Sequence, residues 1–331
     1  MEYVECDIPE VKPNEVLLRV VSVGICGTDI HAYAGRQPFF SYPRVLGHEI
    51  SGQIEVIGAD CKKFTVGDRV CVVPCVSCGK CPACKDGKTN CCEKVSLYGV
   101  HQDGGFTEYL TVYENNLVKI PDDVSMTEGS LVECFSIGAH GVRRAQLKKG
   151  ENVIVVGAGP IGIGTAANAK ASGAHVVVSD VAEARRANIE NKVGLKTLNP
   201  LDSDYIEQIR QTFNGQLADV LIDATGNKGS MGNAVNYIRH GGRIVFLGLF
   251  IGELVFDDPT FHSKETTLLA SRTSTPEDFE RVLDLMSTGE ITEDMMVNRE
   301  YDFFSFGHTY KEDVVEDREL VKGVINFKGK S

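Results

Sequence analysis

The chain has 331 residues, 42% of them hydrophobic, and a formal net charge of -12 at pH 7. This length allows a large core and favours two domains over one. The acidic balance excludes nucleic acid and anionic membrane as expected partners, because both would repel it, and it favours a small-molecule partner. The first residues lack a basic, apolar leader and no apolar run reaches about 18 residues, so we expect a soluble, cytoplasmic protein.

Cysteines distinguish the N-terminal part of the chain from the rest. All 11 lie at or before Cys134, among short β-rich segments that alternate with glycine and proline turns. A large chain without a secretory leader uses clustered cysteines for metal binding more often than for a disulfide framework. We therefore expect a β-rich, metal-bearing region there.

The densest cysteine run, CVSCGKCPACKDGKTNCC, holds six cysteines between Cys75 and Cys92. A tetrahedral zinc site takes four ligands, and four thiolates close the site and make it structural. One subset has the spacing C-x2-C-x2-C-x7-C, which would let a lobe of about residues 75–93 wrap one ion. Its members are Cys78, Cys81, Cys84 and Cys92. The alternative is a set of reduced surface thiols without metal.

A βαβ unit begins near Glu151. The stretch NVIVVGAGPIGIGTAANAKASGAHVVVSD predicts a buried strand, a glycine turn, a helix that ends near Gly173 and a second strand that ends at Asp180. Further strands are predicted at ADVLID (218–223) and GRIVFLG (242–248), with helical stretches between them. This alternation predicts an α/β fold with a doubly wound, mostly parallel sheet.

The glycine turn of this unit has the G-x-G-x-x-G spacing at Gly157, Gly159 and Gly162. Such glycines let the backbone approach a pyrophosphate, whose charge meets the N-terminus of the following helix. Asp180, about twenty residues on, suits a hydrogen bond from a ribose hydroxyl. A 2′-phosphate about 5 Å from that carboxylate would be repelled by roughly 3 kcal/mol per unit of charge at a dielectric constant near 20. The sequence therefore predicts NAD rather than NADP.

One more helix is predicted from STPEDFERVLDLMSTGE. Thr275 is its expected N-cap, Pro276 its first helical residue and Asp278 an acidic residue of its first turn, and Gly289 supplies the stop. Its apolar residues recur at helical spacing: Phe279, Val282, Leu283 and Met286.

Six motifs in order give the chain a specific resemblance to a known superfamily. They are GICGTDIH (24–31), YPRVLGHEISG (42–52), GDRV (67–70), DGGFTEYL (103–110), LVECFSIGAH (131–140) and GAGPIG (157–162). Together they resemble the zinc-containing medium-chain dehydrogenase/reductase superfamily. The glutamate of LVECFSIG and the intact four-cysteine lobe resemble its sorbitol dehydrogenase branch. GRQPFFSYPRVLGHE, NCCEKVSLYGVHQDGGF and LGLFIGELVFDDPTFHSKETT resemble sugar-acid 5-dehydrogenases of the L-galactonate and L-idonate type.

The resemblance implies the domain plan. Residues 1–134 and 272–331 would form a GroES-like β-rich catalytic domain with the structural-zinc lobe, and residues 135–271 a Rossmann domain that binds NAD. In the lobe, the resemblance selects the four-cysteine subset and leaves Cys75 and Cys91 as spares. It also implies that a first N-terminal strand is missing here, since Met1 falls where relatives are already within their first hairpin. Relatives associate through their cofactor domains, so a homo-oligomer, a dimer or tetramer, is expected.

A catalytic zinc site is implied at other residues. Cys26 and His48 match the superfamily's zinc ligands, and either Glu49 or Glu133 would supply the third ligand. One thiolate, one imidazole and one carboxylate leave a position open for Lewis-acid chemistry. The choice between the two glutamates stays open. Two zinc ions per chain are thus expected.

The resemblance extends to the proton path, the cofactor and the substrate. Thr28 and His31 match a hydroxyl and imidazole relay, with a surface histidine as the alternative interpretation of His31. The implied cofactor-binding residues are Gly157, Gly159, Pro160, Ile161, Gly162, Asp180, Arg185, Thr225, Gly226, Leu247 and Gly248. Arg185 has a solvated helix charge as its alternative interpretation. Arg272, in LLASRTSTPE, is the predicted anchor for a substrate carboxylate, and its alternative is a salt bridge between domains or subunits.

The predicted function is a zinc-dependent transfer of hydride from a secondary alcohol of a sugar acid to NAD. The alternative within enzymes is a polyol dehydrogenase of the sorbitol or xylitol type. A third hypothesis is a regulatory or redox-sensing protein without turnover, which would have little reason to keep the complete set of predicted catalytic residues.

Overall fold

The computed structural model describes residues 1–36 and 40–327; residues 37–39, within the GRQPFFSY stretch, and 328–331 lie outside the described part. The chain divides into two compact units, Met1–Glu133 with Thr275–Ser331, and Cys134–Ser274. The domain limits expected from the sequence differ from this division by one residue at the first boundary and three at the second.

The strands occur in this order: β1 (Glu15–Gly24), β2 (Glu49–Ile57), β3 (Arg69–Val72), β4 (Cys75–Val76), β5 (Ser96–Leu97), β6 (Tyr109–Tyr113), β7 (Leu117–Lys119), β8 (Asn152–Val156), β9 (His175–Ser179), β10 (Lys196–Leu198), β11 (Ala218–Asp223), β12 (Ile238–Phe246), β13 (Thr267–Ala270), β14 (Val297–Asp302) and β15 (Lys322–Asn326).

The α-helices are α1 (Gly27–Tyr33), α2 (Pro82–Lys85), α3 (Met126–Arg144), α4 (Pro160–Ala171), α5 (Glu183–Asn188), α6 (Tyr205–Thr212), α7 (Lys228–Asn233), α8 (Asp258–Ser263), α9 (Pro276–Ser287) and α10 (Phe303–Tyr310). Short 3-10 turns lie at Thr89–Cys91, Glu114–Asn116, Ala234–Tyr237 and Glu293–Met295, and π turns at Ile189–Val193 and Lys311–Val315. Among the residues described, none of the helices has the length and apolar character needed to cross a bilayer.

The first unit is built on a mixed sheet in the order β14-β15-β1-β2-β3-β7, with β6 also paired to β1. Strand β1, EVLLRVVSVG, buries nearly every side chain because β2, β6 and β15 all pair with it. At its carboxyl end Gly24 pairs with Glu49 of β2 and with Val324 of β15. Residues that are distant in sequence therefore meet where β1 ends.

The second unit contains a six-stranded sheet in the order β10-β9-β8-β11-β12-β13, and all of its pairings are parallel. Its central strand β8 is a short, buried valine and isoleucine run, which is typical of strands covered on both faces. The strand order reverses between β8 and β11, and such a switch point opens a crevice at the carboxyl ends of the strands. The predicted doubly wound parallel sheet is confirmed.

Helix α9 begins and ends as the sequence predicts. Pro276 is its first residue, and the Thr275 amide donates to the Asp278 carboxylate at 2.9 Å. Gly289 has a φ of +74° just after the helix.

Residues 1–12 form no helix or strand, and the Tyr3 hydroxyl there accepts a hydrogen bond from the Gly307 amide at 2.9 Å.

Candidate functional site

The four cysteines of the predicted structural site lie together. Their four Sγ atoms are all within 4.8 Å of one another, and the Sγ atoms of Cys81 and Cys84 are 3.4 Å apart. The run folds as a small lobe because β4 pairs with β5 and the short helix α2 follows Cys81 directly. Cys75 and Cys91 do not belong to this cluster in the described structure. The arrangement fits a closed, four-thiolate zinc site.

Backbone amides donate hydrogen bonds to two of the sulfurs in this lobe. The Cys92 sulfur accepts from the amides of Cys78 and Lys94 at 3.2 and 3.3 Å. The Cys78 sulfur accepts from the amides of Lys80 and Cys81, which lower the pKa of Cys78 to about 6. Burial raises the pKa of Cys84 to about 11. Since zinc requires all its sulfur ligands deprotonated, ion binding would have to overcome the protonation of Cys84 in particular.

A second cluster is assembled from separate elements. Cys26 caps α1 directly after β1, His48 precedes β2, and Glu49 begins β2. One ligand atom of each lies within 4.8 Å of the others. Within the described residues, His48 Nδ1 and Glu49 Oε2 are buried without a hydrogen-bond partner. Buried polar atoms of this kind are costly, and a metal ion among the three ligands would give the Glu49 oxygen a partner. The sulfur, nitrogen and oxygen donors fit zinc with a fourth position open.

Glu133, in α3, lies beside this cluster rather than in it. Its side chain is buried, and burial, with the charge of Glu49 adding to it, raises the pKa of Glu133 to about 7. Its charge acts on His48, but its oxygens are not within 4.8 Å of all three ligand atoms. The structure thus brings Glu49 into the candidate ligand set and keeps Glu133 as an adjacent carboxyl.

A buried lysine that the sequence analysis missed holds Glu49. Lys322, at the start of β15, is 2% exposed, and its Nζ lies 2.5 Å from Glu49 Oε1. The ion pair fixes one carboxylate oxygen and leaves Oε2 for another partner. A Cβ at Gly24 would stand 2.0 Å from Glu49 Oε2, so only glycine leaves room for this carboxylate. A single lysine within ELVKGVIN gave no sequence signal of this role.

Asp29 links the two segments that carry the ligands, and it was also missed. Its Oδ2 accepts from the Cys26 amide at 2.8 Å, and its Oδ1 accepts from the Gly47 amide at 3.2 Å. Oδ1 also lies 3.8 Å from His48 Nδ1, beyond hydrogen-bond distance but close enough for electrostatic attraction. The signal available in the sequence was an aspartate three residues after Cys26, at the capping-box position of α1.

Thr28 and His31 both lie in α1, three residues apart and therefore on one face of the helix. Thr28 is half-buried and His31 is exposed. The described structure contains no hydrogen bond between their side chains. The proposed proton relay remains a prediction whose solvent end, His31, lies where it can exchange protons.

The glycine turn after β8 has the close approaches that its sequence predicts. A Cβ at Gly162 would lie 1.7 Å from the Gly157 carbonyl oxygen, while no atom lies within 4 Å of a Cβ built at Gly159. The Ala158 amide donates to Asp180 Oδ2 at 2.7 Å, and the Ala182 amide donates to Oδ1 at 2.8 Å. Asp180 therefore fixes the turn, besides placing a carboxylate at the end of β9. Pro160 and Ile161 open α4, whose N-terminus faces the turn.

The remaining predicted cofactor residues lie at the same edge of the sheet. Thr225 and Gly226 follow β11, and Leu247 and Gly248 follow β12. A Cβ at Gly248 would lie 2.1 Å from the Gly226 nitrogen, so the two turns touch through their backbones. Asp223, which the sequence analysis missed, is fully buried at this point. Its side chain accepts from the Thr225 amide at 2.8 Å, and its carbonyl oxygen accepts from the Leu247 amide at 2.9 Å.

Two predicted arginines lie in different surroundings. Arg185, in α5, is largely exposed, and its Nη1 lies 3.9 Å from Asp180 Oδ2. Arg272 is exposed and follows β13, between Ser271 and Thr273, whose buried hydroxyl oxygens have no hydrogen-bond partner in the described residues. Thr273 has a φ of +48°, which is strained for a β-branched residue.

Comparisons with known proteins decide the family. Residues 12–122 match the alcohol dehydrogenase GroES-like domain, and residues 160–288 match the zinc-binding dehydrogenase family. The chain is 54% identical over 321 residues to an L-galactonate-5-dehydrogenase of Escherichia coli K12, with 97% of this chain and 94% of that protein covered. The chain belongs to the zinc-type alcohol dehydrogenase family. It is an oxidoreductase that acts on a CH–OH group.

Other members of this family agree. A sorbitol dehydrogenase of Bacillus subtilis 168 is 36% identical over 247 residues, which cover 73% of this chain and 70% of that protein. A solved structure described as a short-chain alcohol dehydrogenase of E. coli CFT073 with NADH has a TM-score of 0.90 and 31% identity, and covers 98% of this chain and 95% of that chain. The resemblance noted from the sequence and the predicted GroES-like plus Rossmann fold are confirmed.

Proposed function

We propose that this dehydrogenase is zinc- and NAD-dependent and oxidises a secondary alcohol of a sugar acid of the L-galactonate or L-idonate type. The observation that carries the reaction class is the buried cluster of Cys26, His48 and Glu49, with two polar atoms that lack partners. The name of the E. coli relative supports the substrate class. The name of the sorbitol dehydrogenase relative favours a polyol as the second candidate.

Each group in and around the second cluster would have a distinct task. Zinc supplies, when bound, the Lewis acid that polarises a hydroxyl, and NAD supplies the hydride acceptor. Cys26, His48 and Glu49 would hold the ion, and Lys322 would keep the Glu49 carboxylate oriented. The Thr28 hydroxyl and the His31 imidazole would carry the substrate proton to solvent, because an imidazole exchanges protons near neutral pH. The choice of Glu49 rather than Glu133 as the third ligand is part of the proposal.

The preference for NAD would come from Asp180, whose buried carboxylate is fixed by two backbone amides. We predict a kcat/KM preference for NAD over NADP of at least about two orders of magnitude, from the repulsion of a 2′-phosphate. Asp180→Asn removes the charge and keeps one oxygen for the Ala158 amide, at the cost of the hydrogen bond from the Ala182 amide, so it should narrow the preference. Steady-state kinetics with both cofactors measure this. Equal rates with NAD and NADP in the parent enzyme would contradict it.

The sugar-acid class requires a cation for the substrate carboxylate, and we assign that role to Arg272. It is exposed at the carboxyl end of β13, on the sheet edge that carries the glycine turns. An arginine binds a carboxylate through two parallel hydrogen bonds, which also orient it. The strained backbone at Thr273 and the unpartnered hydroxyls beside it support a functional role for this loop.

The test is an NAD-reduction screen of aldonates against the matching polyols. Arg272→Ala should lower kcat/KM for aldonates by roughly 10- to 100-fold, the loss expected for a hydrogen bond between charged groups, and leave polyols almost unchanged. Arg318→Ala, at another exposed arginine, is the matched control. If polyols are oxidised as well as aldonates and Arg272→Ala reduces both equally, the polyol function replaces the sugar-acid function.

We also propose a cytoplasmic homo-oligomer, a dimer or tetramer. All 11 cysteines are free thiols, which suits a reducing compartment. Strand β13 ends the described sheet, and apolar side chains after β12 are exposed, with Ile251 at 95%. An open edge beside exposed apolar residues is typical of a surface that a second copy covers. Light scattering of the purified chain tests this assembly.

A further inference from the structure

The second unit has a pocket far from the edge that carries the glycine turns. It has a volume of about 460 Å³ and opens at the surface. Its polar lining consists of Arg210, Gln216, Asn236, Arg239, His240 and Lys264. Leu217, which precedes β11, and Arg239, near the start of β12, place it at the amino ends of these parallel strands. The predicted cofactor residues follow the carboxyl ends, so the pocket is separate from that site.

Positive charge is concentrated in this pocket. Three of its lining residues are cationic, namely Arg210, Arg239 and Lys264. No aspartate or glutamate is among the lining residues. The nearby Asp219 neutralises one charge, because its Oδ1 lies 2.5 Å from Arg239 Nε. Two positive charges therefore remain in a chain whose net charge is -12. Burial and, after it, the charge of Arg210 lower the pKa of Lys264, which agrees with repulsion between the two cations.

The hydrogen bonds fix some of these groups and leave others available. Lys264 Nζ donates to the carbonyl oxygens of Val235 and Ile238 at 2.8 and 2.7 Å, so it is held in place as a fixed charge. Arg210 donates only through Nη1, to the Gly215 carbonyl at 3.3 Å. In the described part of the chain its Nε and Nη2 have no partner. These two donors form the edge of the guanidinium that binds a phosphate or carboxylate with two hydrogen bonds.

We propose that this pocket binds a small organic phosphate monoester. Such a group carries a charge of about -1.5 to -2 at pH 7, which matches the two uncompensated cations. The volume exceeds what a phosphate ion needs and falls within the range of about 300–1,000 Å³ of small-molecule sites. Ile206 and Leu217 provide an apolar side for the organic part, and the Gln216 and Asn236 amides provide polar contacts.

The experiment is isothermal titration of the zinc-loaded enzyme, saturated with NADH so that the cofactor's own phosphate site is filled. The probe is glucose 6-phosphate, with inorganic phosphate, gluconate and glucose as comparison ligands at constant ionic strength. We expect saturable binding of glucose 6-phosphate, weaker binding of inorganic phosphate, and none of glucose. Arg210→Gln should weaken the phosphate ester at least about tenfold, because it removes a charged, two-donor contact. Arg210→Lys, which keeps the charge and loses the fork, should have an intermediate effect.

Arg318→Gln removes an exposed arginine of the first unit and is the matched control, so it should leave the affinity unchanged. Since Arg210 is exposed and makes one long hydrogen bond, its variants should fold, and their unfolding temperatures verify this. Binding that is absent in the parent, or equally strong in Arg210→Gln, overturns the proposal. Gluconate can also bind at Arg272, so only gluconate binding that Arg210→Gln weakens reports on this pocket. If that binding is tighter than the binding of glucose 6-phosphate, the proposal is overturned in favour of a carboxylate site.

Discussion

The two metal-ligand clusters of this chain are built in opposite ways. The four-cysteine lobe takes all its ligands from fifteen consecutive residues, 78–92, and its sulfurs accept hydrogen bonds from amides of the same lobe. The Cys26, His48 and Glu49 cluster joins the end of β1 to the start of β2, and it depends on Lys322 from the far end of the chain. A short local stretch of chain brings the ligands of the lobe together, whereas the pairing of distant strands assembles the second cluster.

This difference separates structural from catalytic chemistry. In the lobe four ligands would close the coordination sphere, so zinc binding there would contribute directly to folding. In the second cluster three ligands would leave a position open, and buried charges outside the ligand set, such as that of Lys322, would orient the ligands. Loss of a ligand should therefore affect stability in the first case and turnover in the second.

The largest effect is expected from Cys26→Ser. Loss of a ligand at the open site should lower kcat by at least about a thousandfold, well beyond the 10- to 100-fold loss that follows removal of a residue behind a ligand. The fold should persist, because the sheet is formed without this thiolate. Metal analysis should find one zinc per chain instead of two, with circular dichroism unchanged. Cys6→Ser, at an exposed cysteine, is the control. A Cys26→Ser protein that retains two zinc ions and turnover would contradict the assignment.

The next effect is expected from Cys84→Ser. Three thiolates cannot close the lobe, so the free energy of unfolding should fall by several kcal/mol, a part of the about 10–16 kcal/mol that structural zinc contributes in small zinc domains. Chemical denaturation of the zinc-loaded protein measures this loss. Cys91→Ser changes a neighbouring cysteine outside the cluster and should leave stability and zinc content almost unchanged. Equal losses in both variants would show that the run does not bind metal through the predicted four.

A smaller effect, on stability, is expected from Lys322→Met. It leaves the fully buried Glu49 carboxylate without its counter-charge, so in zinc-free protein the free energy of unfolding should fall by about 3–5 kcal/mol. Urea denaturation after removal of zinc measures the change. Adding Glu49→Gln to Lys322→Met removes the unpaired charge and should restore most of the loss. If the single variant is as stable as the parent, the ion pair does not support the second cluster.

What the sequence predicted correctly is local. The βαβ unit from Asn152 to Asp180 combines hydrophobic runs, glycine spacing and an acidic strand end within thirty residues, and each signal constrains the others. The four-cysteine spacing is equally local. Periodicity also located α9, because its cap, proline and stop are adjacent in sequence.

What the sequence could not predict depends on pairing between distant strands. Lys322 and Glu49 are 273 residues apart, and they meet only because β15 and β2 both pair with β1. The same register explains Gly24, whose missing side chain makes room for Glu49. No short-range pattern encodes a contact of this kind. The charged pocket was missed for a similar reason, since its arginines belong to α6 and β12.

The position of Lys322 has a consequence for the synthesis of the enzyme. Glu49 leaves the ribosome early, and its partner belongs to β15, the last strand of the described chain. Because domains generally fold as units, the first-unit sheet can give Glu49 its counter-charge only when translation is nearly complete. A chain that is terminated early, or clipped before β15, would keep Cys26, His48 and Glu49 and still be unable to finish its own site. A chain that has every ligand residue is therefore not active until its last described strand is also in place.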